Sequence, residues 1–126
     1  MDIPKNHQTI MPYLMLEGAK NFIHFTGKVL SATQSYYSTR EDGETIMHAE
    51  LMIGNSTIMY SEATDQWQKQ TANLFVYVGN ADEAYERALA NGATTVMPPA
   101  DQSYGRSCGV NDPFGNTWWI TSVLPG

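Results

Sequence analysis

Residues 46–54 read Ile-Met-His-Ala-Glu-Leu-Met-Ile-Gly. In an extended chain successive side chains point to opposite faces. His48, Glu50 and Met52 therefore share one face, and Met47, Ala49 and Leu51 the other. An imidazole and a carboxylate two residues apart on one strand face suit three kinds of chemistry. They form half of a metal site, a general base with a partner that tunes it, or a hydrogen-bonded pair in a polar pocket. His7 lies on a polar arm ahead of the first strand. A metal on His48 and Glu50 would need a third ligand from elsewhere, such as across a subunit boundary.

Two other stretches carry reactive groups. Residues 101–107, Asp-Gln-Ser-Tyr-Gly-Arg-Ser, read as a loop holding Tyr104 and Arg106 around a glycine. The chain has only seven basic residues. Arg106 is thus a candidate anchor for an anionic ligand group, with an Arg106–Asp112 pair that steadies the hairpin as the alternative. Cys108 has no base nearby in sequence and reads as a buried, inert thiol. His24 falls off the apolar stripe of its helix and reads as a surface residue. No glycine-rich phosphate loop, CxxC motif or Ser-His-Asp arrangement stands out.

The elements that must position these groups follow from periodicity. Ile10 to Leu16 reads as a strand. Gly18 opens a helical pattern in which Ala19, Phe22, Ile23, Thr26, Val29 and Leu30 recur at three- and four-residue spacing. Residues 32–37, 45–53 and 56–61 read as strands, with a charged turn at 40–44. Residues 63–71 form a polar connector that carries Trp67. The pattern then restarts. A strand spans 72–78. Asn80 and Glu83 have capping-box spacing, and Ala81, Ala84, Tyr85, Ala88 and Leu89 form a second helical stripe ended by Asn91-Gly92. Strands follow at 94–97, stopped by Pro98-Pro99, at 107–110, and at 117–123.

Each half thus reads strand, helix, then three strands. Such a repeat predicts an α+β chain of two βαβββ modules, with the helices outside a curled sheet and a concave cleft within. The expected layout is one domain over residues 1–126, with module one at about 9–62, connector 63–71 and module two at about 72–123. Alternation places Met11, Tyr13 and Met15, then His48, Glu50 and Met52, on the concave face. Asn73, Phe75 and Tyr77, then Thr117, Trp119 and Thr121, join them. This surface is rich in aromatic and Met side chains with few polar groups, the make-up of a small-molecule pocket. Met15, Phe75 and Met52 also suit a packed core. Tyr13, Tyr77 and Trp119 suit the pocket better, because their polar tips need partners.

Composition narrows the partners. The chain has 126 residues, 42% of them apolar, enough for a real core. Charged residues are only 16% and the net charge is −6, with no basic run. This argues against nucleic acid and anionic membranes as partners. No apolar run approaches a membrane span, and the first residues lack a signal-peptide pattern. A single cysteine excludes an internal disulfide and suits the cytoplasm.

The ordered set of motifs carries a resemblance. The first strand and helix come first, followed by the His-Ala-Glu-Leu strand. Next come Tyr77-Val78 with an Ala-rich helix ending in Asn91-Gly92-Ala93. Tyr104-Gly105-Arg106 follows, and last Asp112-Pro113-Phe114-Gly115-Asn116-Thr117-Trp118-Trp119. Over roughly residues 10–123 this resembles the vicinal oxygen chelate superfamily, which includes glyoxalase I, bleomycin-resistance proteins and extradiol dioxygenases. Within it, the chain looks most like the PhnB-like, glyoxalase-like branch. The resemblance implies a homodimer. It also implies four metal-ligand places, which fall on Met11, Glu50, Asn73 and Trp119. Only Glu50 is a usual ligand. No metal or other cofactor is therefore expected. The leading expectation is a metal-independent binder of a small molecule, with Met11, Tyr13, Met52, Asn73, Phe75, Tyr77, Tyr104, Arg106 and Trp119 as ligand-binding residues. The alternatives are a metal-dependent or Glu-based lyase, isomerase or dioxygenase using Glu50 and His48 as catalytic residues, and a dimeric domain with no ligand chemistry.

Overall fold

A computed structural model describes residues 1–125; Gly126, the last residue of the expected domain, lies outside the described residues. The chain divides into two compact units. Unit one holds residues 1–27 and 31–71, and unit two holds residues 28–30 and the chain from Ala72 onward.

Unit one is built on a four-stranded mixed sheet in the order β1-β4-β3-β2, comprising β1 (Tyr13–Leu16), β2 (Thr33–Thr39), β3 (Ile46–Ile53) and β4 (Ser56–Glu62). Strand β1 runs parallel to β4, and the other pairs are antiparallel. The first strand is shorter than its apolar pattern, beginning at Tyr13 rather than Ile10; ahead of it, Met59 N–H still donates to Pro12 O at 2.9 Å. The helical pattern also splits. A single 3₁₀ turn at Ala19–Asn21 precedes α1 (Phe22–Leu30). One sheet face is buried through Leu14, Leu16, Ala49, Leu51, Ile58 and Tyr60. The Phe22 ring meets Tyr60 edge-on at 5.0 Å, a favourable aromatic geometry. The register sets Glu50 opposite Met59, and Tyr13 opposite Met59 on the other side. Tyr13, His48, Glu50, Met59 and Ser61 consequently share the open face.

The connector is not free of structure. Met15 and Gln70 exchange two backbone hydrogen bonds of 3.0 and 2.9 Å, and Thr64 N–H donates to Trp67 O at 2.8 Å. These bonds pin Trp67 at the end of the unit-one sheet.

Unit two repeats the plan in the order β5-β8-β7-β6, with β5 (Asn73–Tyr77), β6 (Thr94–Gln102), β7 (Gly105–Asn111) and β8 (Thr117–Ser122). Helix α2 (Ala81–Ala90) starts where the capping spacing predicts: the Asn80 side chain accepts from Glu83 N–H at 3.1 Å. It lies on the sheet through Ala81, Ala84 and Ala88, all buried, and such small side chains let helix and sheet approach closely. Pro98-Pro99 does not end β6. The strand runs on to Gln102 with a register shift between Met97 and Ala100. It is an edge strand, so the missing N–H groups of proline cost no ladder bonds on its outer side, and the irregularity absorbs the rest. The expected loop at 101–107 is likewise a tight hairpin, because Gln102 pairs with Gly105 across Ser103-Tyr104.

Asp112 organises the turn before β8. Its buried carboxylate accepts from Phe114 N–H (2.8 Å), Asn116 N–H (2.9 Å), Asn116 Nδ2 (2.9 Å) and Trp118 Nε1 (2.8 Å). It cannot also serve Arg106, so the Arg106–Asp112 pair does not form.

Candidate functional site

Glu50 stands at the centre of a polar chain on the open face of unit one. His48 Nε2 lies 3.0 Å from Glu50 Oε2. His7 arrives from the N-terminal arm and lies 2.7 Å from Oε1. The arm is held in place locally. The Gln8 side chain donates to Thr57 O at 2.9 Å and accepts from Thr57 N–H at 3.3 Å, and Thr57 Oγ1 donates to Asn6 O. The Glu50 carboxylate is only 13% exposed. Burial alone would raise its pKa, but the hydrogen bonds and charge of His48 and His7 outweigh this and hold it below the ordinary value.

The chain continues on the far side of His48. Tyr13 Oη lies 3.1 Å from His48 Nδ1 and 3.0 Å from Ser61 Oγ, and Ser61 Oγ lies 2.8 Å from Met47 O. Ser61 Oγ donates to the Met47 carbonyl, and Tyr13, His48 and Glu50 continue the chain, the His48 tautomer setting which ring nitrogen donates. The result is an unbroken hydrogen-bonded chain from Ser61 to Glu50.

Tyr13 and Ser61 also belong to a cavity of about 390 Å³, completed by Met15, Arg40, Met47, Glu62 and Trp67. Its walls are aromatic and thioether groups with a few polar tips, and its size falls within the range of ligand sites. Of the ligand-binding residues expected from sequence, Tyr13 alone lines it. Met11 instead accepts Gln8 N–H on its sulfur at 3.3 Å, and Met52 lies further along β3. Arg40, Met47, Ser61, Glu62 and Trp67 were not expected there. Trp67 stood out as an apolar residue in a polar connector, which was the one available signal.

The remaining expected residues form a separate face on unit two. Phe75, Tyr77 and Tyr104 are exposed, with the Phe75 ring 5.3 Å from Tyr77 and 6.1 Å from Tyr104. Trp119 Nε1 donates to Asn73 Oδ1 at 3.2 Å. The Trp119 ring lies against Gly109, where an added Cβ would come within 2.5 Å of it. Arg106 is engaged by Asp82 through two bonds of 3.0 and 3.1 Å and by Asp101 at 3.4 Å. The Arg106 bonds hold Asp82 below the usual carboxylate range. Cys108 is buried, and burial reinforced by the charge of Asp82 pushes its thiol up to about 11. His24 is exposed.

The four places that the resemblance assigns to a metal do not make a donor set. Asn73 and Trp119 are bonded to each other, Met11 offers a thioether already in use, and the Glu50 oxygens face two imidazoles. Among the described residues no three His, Cys, Asp or Glu side chains are grouped to hold a metal. Among the described residues no helix is long and apolar enough to cross a membrane.

Two βαβββ units, each with a four-stranded mixed sheet, and the Asp-Pro-Phe-Gly turn before the final strand define a chain of glyoxalase type. Residues 18–120 match the model of the Glyoxalase/Bleomycin resistance protein/Dioxygenase superfamily, and the chain belongs to that family. It is 31% identical over 121 residues to the Mycobacterium bovis protein Mb0911c, covering 86% of this chain and 79% of that one. A PhnB protein from Bacillus cereus has the same fold, with a TM-score of 0.72 and 17% identity over 92% of this chain and 100% of the other. So does TnmS3, an antibiotic binding protein from Streptomyces sp. CB03234, with a TM-score of 0.69 and 12% identity over 94% and 100%. At these identities the structures establish fold alone.

Proposed function

We propose that the protein binds a small organic molecule, without a metal, in the unit-one cavity. The observation that carries this reading is the cavity itself: about 390 Å³, walled by Tyr13, Met15, Met47 and Trp67 and tipped with polar groups. TnmS3, of the same fold, is an antibiotic binding protein, which supports ligand capture as a use of this architecture. The test is a screen of small aromatic compounds by tryptophan fluorescence, comparing the native chain with Trp67→Phe. Binding that quenches the native chain and loses its signal in the variant supports the reading. Binding with an unchanged signal in Trp67→Phe moves the ligand elsewhere and overturns it.

A second reading is favoured by the chain from Ser61 through Tyr13 and His48 to Glu50. It suits acid–base catalysis on a ligand in the same cavity, with Tyr13 as the group facing that ligand and Glu50 as the terminal carboxylate. If a bound compound is turned over, Glu50→Gln abolishes turnover while binding persists. We further read the protein as a cytoplasmic homodimer. The exposed Tyr36, Tyr37, Phe75, Tyr77 and Tyr104 offer apolar area for a subunit contact, and light scattering of the purified protein tests it.

A further inference from the structure

We propose that the ligand of the unit-one cavity is an anion, an aromatic carboxylate, and that Arg40 is the residue that selects it. The proposal rests on the cavity being the binding site and names the chemistry of its occupant. Of the three arginines, Arg106 is held by Asp82 and Asp101 and Arg87 by Glu83. Arg40 alone has no carboxylate within salt-bridge distance among the described residues, although it lines the cavity. Among the described residues its Nε is buried without a hydrogen-bond partner, and its Nη2 donates to Glu62 O at a long 3.5 Å. A guanidinium presents five donors in a planar fork that matches a carboxylate. Leaving such a group underused in a half-buried position is costly unless something else arrives to accept from it.

Two neighbouring carboxylates, Asp42 and Glu62, are committed elsewhere. Asp42 follows Arg40 in the same turn and caps it, accepting from Glu44 N–H (2.9 Å), Thr45 N–H (2.8 Å) and Thr45 Oγ1. These bonds, with that from Thr45 Oγ1 strongest, pull its pKa down to about 2. Glu62 accepts from Gly18 N–H (3.2 Å) and Ala19 N–H (2.9 Å). Neither acid is bonded to Arg40: Asp42 is taken by backbone N–H groups and the Thr45 hydroxyl, and Glu62 by backbone N–H groups. The turn thus holds a cation beside the cavity while Asp42 and Glu62 are occupied. Trp67, Met15 and Met47 supply a flat, polarizable wall for an aromatic body, and Tyr13 and Ser61 offer hydroxyls to a polar substituent.

The experiment uses 2-naphthoate and its neutral counterpart 2-naphthamide as probes, titrated calorimetrically into the full chain and into Arg40→Gln and Arg40→Lys. Circular dichroism confirms that the variants are folded. We expect the acid to bind the native chain at least tenfold more tightly than the amide. Arg40→Gln should remove that preference while leaving amide binding in place, and Arg40→Lys should restore part of it. Equal affinity of the native chain for acid and amide overturns the role of Arg40 but leaves the cavity as a binding site. So does an acid preference that survives in Arg40→Gln. Binding of neither probe overturns both this inference and the cavity reading for aromatic ligands of this size.

Discussion

Replacing Asp112 by Asn gives the sharpest test of what holds unit two together. The carboxylate accepts from two backbone N–H groups on Oδ1, and from Asn116 Nδ2 and Trp118 Nε1 on Oδ2. Asparagine has nearly the same shape but only one accepting oxygen. Whichever way its amide turns, an NH₂ group faces two donors and receives nothing. Both Asn116 and Trp118 are buried, at 0% and 1% exposure, so water cannot replace the lost acceptor. Each orphaned buried donor costs about 1–3 kcal/mol, and two orphaned together predict a loss of about 2–4 kcal/mol once relaxation of the turn is allowed for. The assay is urea unfolding followed by tryptophan fluorescence, with stability taken from the midpoint at unchanged slope. A loss below about 0.5 kcal/mol would refute the argument that this carboxylate organises the turn. Asp112→Ala should lose at least as much, since it leaves all four donors unmatched.

Three other outcomes are expected. Cys108, with its thiol raised to about 11 by burial and the charge of Asp82, should resist a disulfide reagent at pH 8 in the folded protein and react promptly once urea unfolds it; prompt reaction in the native state would contradict its burial. Gly109→Ala should displace the Trp119 ring, because the new Cβ would lie 2.5 Å from it. The near-ultraviolet circular dichroism should change, with a stability loss of about 1–3 kcal/mol from overpacking. The Glu50 carboxyl, followed by its ¹³C shift, should titrate below the ~4.3 of a free glutamate, and His7→Ala or His48→Ala should each raise the midpoint. Because its folded value is depressed, its contribution to stability is present above ~4.3 and is lost as pH falls through the lower folded value.

Much of the architecture was legible because it depends on local pattern. Alternation along residues 46–53 put His48 and Glu50 on one face, and the Asn80–Glu83 spacing marked the start of α2. Pairings between distant segments were not legible. His7 reaches Glu50 across 43 residues, and Arg106 reaches Asp82 across 24. Such contacts are decided by strand register and turn geometry rather than by spacing. The cavity shows the same limit. Arg40, Ser61, Glu62 and Trp67 come from a turn, a strand end and a connector, and only the folded sheet brings them to one wall. The two prolines of β6 misled in another way: their cost depends on which edge of the sheet the strand occupies, which a single sequence does not reveal.

The Gln8 side chain has a consequence for the edge chemistry of unit one. Strand β1 starts opposite Met59, so the backbone of Thr57, two residues earlier on β4, has no strand on that side. The Gln8 amide presents one acceptor and one donor in the same geometry as a peptide unit, and it takes both positions. A side chain thus impersonates a residue of a missing strand. Without it, Thr57 would offer a free N–H and a free C=O to any extended segment that came near. The arm that delivers His7 to the carboxylate is therefore also a seal against unwanted strand addition, and a change at Gln8 would surface as self-association before it surfaced as lost binding.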